Sequence, residues 1–248
     1  MLDFYKASPL KRFVAYMIDL ILLLIIAGSV VVGMFSKLNF NSYREELVSY
    51  YDKYEQQYGV DLSVSKDSLS EEDQQKYNDA FDALNNDKGA LSVLSSMVKI
   101  AWLSLAVGLL VAYIILEVML PLIFKNGQTV GKKAMGLCVM HKEHVKVSVM
   151  QVIYRAIVGK YFVETLVPIT MILLQLSGTL GTTAVLILSA IVMTQGFIVL
   201  MSQANCGIHD KLFKTMVADY EQQYIFDTLE EKRAYEQELE EREAKYGG

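Results

Sequence analysis

Four long apolar stretches divide the chain, and they cover residues 13–35, 100–124, 161–177 and 183–201. At about 1.5 Å of rise per residue, each stretch is long enough to cross or nearly cross a hydrocarbon core of about 30 Å. The pattern therefore predicts an all-α membrane protein built as a four-transmembrane-helix bundle. The first stretch begins close to Met1, but it lacks a small-x-small cleavage site, so we interpret it as a retained helix rather than a secretory signal.

The polar segment 36–99 has a helical periodicity of its own. Apolar and aromatic side chains recur every three or four residues in two groups, first Tyr43, Leu47, Tyr50, Tyr54 and Tyr58, then Tyr77, Phe81 and Leu84. A capping box at Ser70 and Asp73 precedes the second group, and the run Asn85 to Gly89 predicts a helix stop before a new helix at Ala90. We expect a small helical hairpin whose tyrosines form a packing seam or lie against lipid headgroups, with a ligand or partner site as the alternative.

The charge distribution predicts the orientation of the chain in the membrane. The net charge is −5, yet Lys6, Lys11 and Arg12 precede the first span, and the segment 125–160 is strongly basic. Both regions should be cytoplasmic by the positive-inside rule, which makes the acidic segment 36–99 extracellular. We therefore expect a multi-pass protein of the cell membrane with both termini in the cytoplasm. Cys138 and Cys206 then lie on the reducing side, where we expect no disulfide.

The cytoplasmic segments predict two further elements. Leu137, Val139, Val145, Val147 and Val149 alternate with polar residues around a turn at 141–144, which predicts a short β-hairpin. In the acidic tail, Glu238 with Arg242 and Glu241 with Lys245 have the i, i+4 spacing of a solvated helix, which we favour over a dedicated partner helix. The predicted order is an N-terminus with the first span (1–35), a helical insertion (36–99), the second span (100–124), a basic loop with the β-hairpin (125–155), a third and fourth span joined at Gly178 to Thr182 (156–201), a closing segment (202–219) and a charged helix (220–248).

Three carboxylates, Asp19, Glu117 and Glu164, interrupt the apolar stretches near their predicted cytoplasmic ends. A carboxyl group is costly in hydrocarbon, so an acid retained there usually has a partner or a function. Candidate partners at the same level are Arg12, Arg155, Lys160, His209, Asp210 and Lys211. We predict one polar layer that holds a cation, relays protons, or pairs internally and ties the helices together.

Other site chemistries find little support in the sequence. Gly127 and Gly131 before Lys132 do not have the spacing of a phosphate-binding loop, and Ala134 stands near where a hydroxyl would be needed. The three histidines, His141, His144 and His209, have no metal-ligand spacing with either cysteine, and no Ser-His-Asp arrangement is evident. We expect neither enzymatic activity nor a metal, a cofactor or a nucleic-acid partner.

Three motifs in order resemble those of the RDD membrane proteins. Residues 11–19, which contain Arg12 and Asp19, are similar to the opening motif of that family, and Gly127, Thr129, Gly131 and Lys132 match its Gly-x-Thr-x-Gly-Lys segment. His209-Asp210-Lys211 with Thr215 resembles the closing motif, which supplies the final aspartate. The resemblance covers residues 1 to about 219. Cys206, Gly207 and Lys214 depart from the family pattern.

Two functional classes remain open. The resemblance implies little about activity, although cation or proton exchange has been proposed for some members of the family. In the first class, the chain moves small cations or protons. In that reading Asp19, Glu117 and Glu164 are exchangeable ligands or proton carriers for Na⁺, Li⁺, K⁺ or H⁺, and Arg12 or Arg155 is a tethered counter-charge. In the alternative, the chain is a non-transporting accessory subunit that binds another membrane protein or forms a homo-oligomer. The intramembrane acids favour the first, whereas the small size of the bundle favours the second.

Overall fold

A computed structural model describes residues 7–176, 186–187, 189–190, 193–194 and 207–246. The described chain is mostly helical, with one small sheet. It divides into two compact units, the first made of the residues up to Ile26 and from Leu109 onward, the second of Ala27–Gly108. The predicted connection Gly178 to Thr182 and Cys206 lie outside the described residues, as does most of the predicted fourth span.

Three helices are long and apolar enough to cross a membrane. They are α1 (Pro9–Lys37), α4 (Lys88–Phe124) and α6 (Val149–Gln175), and they contain the first two predicted spans and residues 161–175 of the third. Helix α4 begins close to Ala90, as the sequence predicts. Helix α6 differs from its prediction, because it begins at Val149 inside the expected basic loop, where Ser148 and Gln151 form a capping box.

The second unit contains the two helices predicted in the segment 36–99. Helices α2 (Phe40–Tyr58) and α3 (Glu71–Asn86) pack against each other, and the Ser70 side chain caps α3 by accepting a hydrogen bond from the Asp73 backbone N–H. Their shared core contains Tyr54, Val60, Leu62, Ala80, Leu84 and Ala90, with Tyr50, Tyr51, Tyr58 and Tyr77 packed against it. The tyrosine periodicity is therefore a packing seam in this structure.

Asp87 connects α3 to α4 in the second unit. Its carboxylate accepts hydrogen bonds from the Tyr54 hydroxyl at 2.8 Å and from the backbone N–H groups of Gly89 at 2.7 Å and Ala90 at 3.2 Å. These bonds satisfy N–H groups at the start of α4 that have no partner within the helix. Chiefly because of the Tyr54 hydrogen bond, the pKa of Asp87 is lowered from its usual value.

The sheet of the first unit corrects the predicted β-hairpin. Strand β1 (Leu137–His141) pairs antiparallel with β2 (Thr215–Asp219), which follows the short helix α7 (Ile208–Leu212). The predicted second strand is reduced to one antiparallel bridge between Met140 and Lys146; Val145 accepts the hydrogen bond of a tight turn from His141 N–H, and Val149 begins α6. The period-two pattern identified β1 correctly, but its pairing partner lies far along the chain.

Both faces of the sheet are covered, so β1 and β2 fix nearby segments in place. Leu137, Val139 and Val217 pack with Ala7 and Ala15 at the start of α1. On the other face, Cys138 and Met140 pack with Ala218. The sheet therefore connects the beginning of α1 to the segment that follows α7. Both of these regions carry charged side chains.

Two of the long helices contain π-helical segments, Ile114–Met119 in α4 and Arg155–Leu166 in α6, and these segments pack against each other. In each, a backbone N–H donates five residues back, from Leu120 to Ile115 and from Val167 to Phe162. Pro121 and Pro168 follow them closely. Since proline lacks an N–H and its ring disturbs the carbonyl four residues earlier, a widened turn is expected at these positions.

The tail ends in helix α8 (Leu229–Tyr246), which agrees with the helix predicted there. Arg242 and Glu238 form the expected i, i+4 ion pair at 2.7 Å, and both side chains are exposed. Tyr235 of this helix packs against Tyr224 and Phe226. The short helix α5 (Val130–Ala134) completes the described elements that position the site.

Candidate functional site

A polar cavity of about 290 Å³ lies within the first unit. It is bounded by α1, α4, α6, α7 and the region of α5 and the sheet. Four carboxylates line it, Asp19, Glu117, Glu164 and Asp210, and they face the basic side chains Arg12, Lys132, Arg155, Lys160 and His209. Without His209, the lining has four cations and four anions, so its charges balance. The three acids predicted to share one layer are therefore brought to one cavity.

Asp19 joins α1 to the loop that carries α5. Its carboxylate accepts a hydrogen bond from the Thr129 hydroxyl and another from the Gly131 backbone N–H at 2.7 Å, and Lys132 Nζ lies 3.9 Å away. The Thr129 hydroxyl also caps α5 by accepting from the Lys132 backbone N–H. Both Asp19 oxygens are thus occupied by donors, which suits a positioning role.

The approach of α1 to α5 requires a glycine. A Cβ atom at Gly131 would lie 2.0 Å from the Ala15 carbonyl oxygen and 3.0 Å from the Asp19 carboxyl carbon. Any side chain here would separate the loop from α1 and break the hydrogen bond to Asp19. The second family motif therefore supplies both the donors and the space for this contact.

Asp210 is the most enclosed carboxylate of the cavity, with 1% of its surface exposed. It accepts hydrogen bonds from Arg155 Nε and from the Thr215 hydroxyl, both at 2.9 Å, and Arg12 lies 4.0 Å away. Burial opposes its charge, but His209 and Arg155 outweigh that effect and hold the pKa of Asp210 well below its usual range. Arg155 and Asp210 therefore form a fixed ion pair that fastens α7 to α6.

Glu117 lies in the π-helical segment of α4 and faces two cations of α6. One of its oxygens accepts a hydrogen bond from Lys160 Nζ, and the other, Oε2, lies 3.6 Å from Arg155. Oε2 is buried and accepts no hydrogen bond from the described residues. A buried carboxylate oxygen without a hydrogen-bond donor is costly, and the nearby Arg155 guanidinium compensates for this in part.

Glu164 lies in the π-helical segment of α6 and binds His209. Its oxygens are 2.7 and 2.9 Å from His209 Nδ1, and Oε1 also accepts the His209 backbone N–H at 3.1 Å. On the opposite side of the ring, Nε2 is 3.4 Å from an Asp210 oxygen. The His209 ring therefore lies between two carboxylates, Glu164 of α6 and Asp210 of α7.

Lys132 is the buried cation closest to Asp19. Its Nζ donates to the Thr129 hydroxyl at 3.1 Å. Burial lowers the pKa of Lys132 to about 8, and the attraction of Glu117 only partly opposes that shift. Among the basic groups of the cavity whose pKa is shifted from its usual value, Lys132 is therefore the one that loses its proton most easily.

The other motif residues lie beside the cavity or away from it. Gly127 adopts a positive φ of 61° and packs against Val139, where it shapes the loop before α5. Lys211 is exposed and does not line the cavity, in contrast to its predicted place in the polar layer. Thr129 and Thr215 act through the two aspartates that they bind.

Sequence reasoning missed two hydroxyl groups of the lining. Tyr113 and Thr165 hydrogen-bond to each other at 2.8 Å and connect the π-helical segments of α4 and α6. A repeated signal was available, because Glu117 and Glu164 each stand four residues before a proline. Tyr113 is four residues before Glu117, and Thr165 follows Glu164.

These features define a membrane protein whose helices enclose a charge-balanced polar cavity. The sequence profile of the RDD family matches residues 6–214, which is most of the chain. The protein belongs to the RDD family, as its three motifs indicated. No curated protein and no solved structure gives a significant match.

Residues of the three family motifs meet at this cavity. Arg12, Asp19 and Asp210 occupy the arginine and two aspartate positions of the motifs, and all three line it. Asp19 binds the second motif, and Asp210 binds Arg155 and approaches Arg12. The motifs, which are far apart along the chain, thus form one connected network.

Proposed function

We propose that the chain exchanges protons for small monovalent cations through the polar cavity of its first unit. The observation that carries the proposal is the presence of two intramembrane carboxylates, Glu117 and Glu164, that face one cavity together with a histidine. Ionisable groups inside a membrane are costly and commonly serve ion or proton pathways. The family resemblance, with the exchange proposed for some members, points the same way.

The four carboxylates have different roles in this proposal. Asp19 is occupied by Thr129 and Gly131, and Asp210 is held by Arg155 and Thr215, so both act as positioning residues. Glu117 has an oxygen that accepts no hydrogen bond within the described part of the chain, and Glu164 is bound to the imidazole of His209. Glu117 is therefore the proposed cation ligand, and the pair of Glu164 and His209 is the proposed proton carrier.

The positive-inside rule and the chain order place the cavity toward the cytoplasmic side of a cell membrane, with both termini in the cytoplasm. A map of single introduced cysteines labelled by an impermeant maleimide tests this orientation. Labelling from outside is expected at exposed positions of the α2–α3 hairpin and not in β1 or α8. The opposite pattern would reverse the proposed topology.

The function is tested by cation-dependent proton movement in proteoliposomes that contain the purified chain. The parent is expected to move protons on addition of Na⁺, Li⁺ or K⁺. Glu117→Gln and Glu164→Gln are expected to abolish that movement, and Asp19→Asn is expected to reduce it together with thermal stability. Glu238→Gln, an exposed change of the same kind in α8, is the control and should leave transport intact. Flux no greater than that of empty vesicles would contradict the proposal.

A second candidate is an accessory subunit without transport activity. Two observations favour it: the cavity charges balance without any added ion, and α2 with α3 has a buried core of its own in a separate compact unit. Under this hypothesis the charge network ties the helices together, and the hairpin binds another membrane protein. Co-purification of a stoichiometric partner that is lost when residues 40–88 are deleted, but retained when 220–248 are deleted, would support it. Absence of any partner from the intact chain would oppose it.

A further inference from the structure

The cavity contains a lysine whose position resembles that of a bound ion. Lys160 Nζ donates to Glu117, which is its one ion-pair partner among the described residues. An ammonium group is a compact point charge on a flexible stem, whereas the guanidinium of Arg155 is planar and is already held by Asp210. Of the two cations beside Glu117, Lys160 is therefore the one that is not held by a second ion pair among the described residues.

A second acceptor for this ammonium lies one helical turn away. Lys160 and Glu164 are four residues apart in α6, and neighbours at that spacing lie on one helix face. Both residues belong to the π-helical segment that packs against the segment carrying Glu117. Lys160 is thus placed between two carboxylates, each four residues before a proline, and it is bound to one of them in this structure.

The space beside Glu117 suits a small cation. No group of three or more His, Cys, Asp or Glu side chains among the described residues is arranged to hold a metal ion, so a site built only from carboxylates is not available there. Glu117 and the hydroxyl-bearing residues Tyr113 and Thr165 line the same 290 Å³ cavity and supply oxygen atoms there. One carboxylate with neutral oxygens suits a monovalent rather than a divalent ion.

We propose that Lys160 is a tethered cation that competes with a monovalent metal ion for Glu117 and moves toward Glu164 when the ion binds. This inference deepens the proposed function and rests on it for its role in transport. Lys160 then remains paired with a carboxylate in both states, with Glu117 before the ion binds and with Glu164 afterwards.

Competition makes a quantitative prediction for ion binding. A carboxylate occupied by the ammonium for about 90–99% of the time binds a competing ion with an apparent dissociation constant about 10- to 100-fold above the intrinsic value. Lys160→Gln removes the competitor. The concentration of Na⁺, Li⁺ or K⁺ that gives half of the maximal thermal shift should then fall at least about tenfold below that of the parent.

The experiment measures thermal unfolding of the full detergent-solubilised chain against increasing alkali chloride, with choline chloride holding ionic strength constant. The readout is the ion-dependent shift and not the starting stability, which Lys160→Gln is expected to lower. Lys142→Gln removes an exposed lysine elsewhere and should leave the half-saturating concentration unchanged. Glu117→Gln combined with Lys160→Gln should show no ion-dependent shift.

Two further variants test the proposal if Lys160→Gln does not fold. Lys160→Arg keeps a cation beside Glu117, so the half-saturating concentration should not fall. Glu164→Gln removes the second acceptor, so the ammonium should stay on Glu117 and the half-saturating concentration should rise. An unchanged or lower value in Glu164→Gln would overturn the inference.

The outcomes separate this inference from the proposed function. Parent flux with the same half-saturating concentration in Lys160→Gln overturns the tethered cation and leaves exchange standing. Tightened ion binding in Lys160→Gln without any parent flux supports the tethered cation and contradicts exchange. No ion response in either protein overturns both, and a response that persists in the double variant shows that the ion binds somewhere other than Glu117.

Discussion

Removal of one partner of the ion pair between Arg155 and Asp210 should strongly destabilise the first unit. Arg155 is 6% exposed and Asp210 is 1% exposed, and their charged atoms are 2.9 Å apart. Removing one partner leaves a buried charge without compensation, which typically costs about 3–5 kcal/mol. Arg155→Met also removes the cation 3.6 Å from Glu117, so its effect should lie toward the upper end.

A double-mutant cycle isolates the interaction between these two side chains. Arg155→Met, Asp210→Asn and their combination are compared with the parent by reversible unfolding in mixed micelles. The free energy of unfolding should show a coupling of about 1.5–3 kcal/mol, the range for hydrogen bonds to charged groups. The same cycle on Arg242 and Glu238, whose charged atoms are 2.7 Å apart on the surface of α8, should give about 0.3–0.5 kcal/mol.

Comparison of the two coupling energies tests whether burial strengthens the Arg155–Asp210 interaction. A coupling for Arg155 and Asp210 no larger than that of the exposed pair would mean that burial adds nothing to the interaction. It would also mean that α7 is held to α6 by other contacts, and that the assignment of Asp210 as a fixed positioning residue is wrong.

Three other changes have defined outcomes. Gly131→Ala should lower the free energy of unfolding by about 1–3 kcal/mol, because the new Cβ would meet the Ala15 carbonyl oxygen. Gly33→Ala in α1 is the control: its Cβ meets nothing within 4 Å, so the free energy of unfolding should stay unchanged or rise by up to about 1 kcal/mol. Equal effects of the two substitutions in thermal unfolding would contradict the close contact of α1 with α5. The pKa of Asp87 is lower in the folded chain, so its contribution to stability is present above the unfolded pKa and is lost as the pH falls through the folded pKa. Amide exchange in α2 and α3 should therefore accelerate in acid. A parent protein that is no more acid-sensitive than Asp87→Asn would refute this prediction. Burial raises the pKa of the Cys138 thiol to about 12. In a Cys206→Ser background, alkylation of Cys138 at pH 8 should therefore be slow in the folded chain and fast in SDS. Equal rates would contradict the burial of Cys138 in the sheet.

Local sequence features predicted the helices well. The tyrosine spacing of α2, the cap at Ser70 and the stop around Asp87 depend on residues within a few positions of one another, and each corresponds to an observed element. The three described long helices follow directly from apolar length. Such signals are readable because helix formation and membrane crossing are governed by contiguous residues.

Long-range pairing could not be read in the same way. The alternating pattern identified β1, but nothing near Val145 or Val147 excluded a hairpin, and the true partner is β2, which follows the closing motif. The start of α6 at Val149 was hidden for a related reason, since Arg155 and Lys160 look like loop residues until their carboxylate partners are known.

The candidate site was predictable as a set of residues but not as a set of pairs. The intramembrane position of Asp19, Glu117 and Glu164 indicated a polar layer, and the structure places all three at one cavity. The distribution of cations among them depends on side-chain geometry, which gives Arg155 to Asp210 and Lys160 to Glu117. In the proposed exchange, the tethered counter-charge is therefore Lys160 rather than Arg12 or Arg155.

The measurement that tests the account most directly is the set of through-space contacts between labelled side chains in the membrane. Solid-state NMR of the chain in lipid, with ¹⁵N in Lys and Arg side chains and ¹³C in Asp and Glu carboxyls, reports which cation lies beside which acid. We predict contacts of Lys160 with Glu117 and of Arg155 with Asp210, each lost when either partner is substituted. Carboxyl signals from Glu117 and Asp210 without any contact to a side-chain nitrogen would contradict the shared cavity and everything inferred from it.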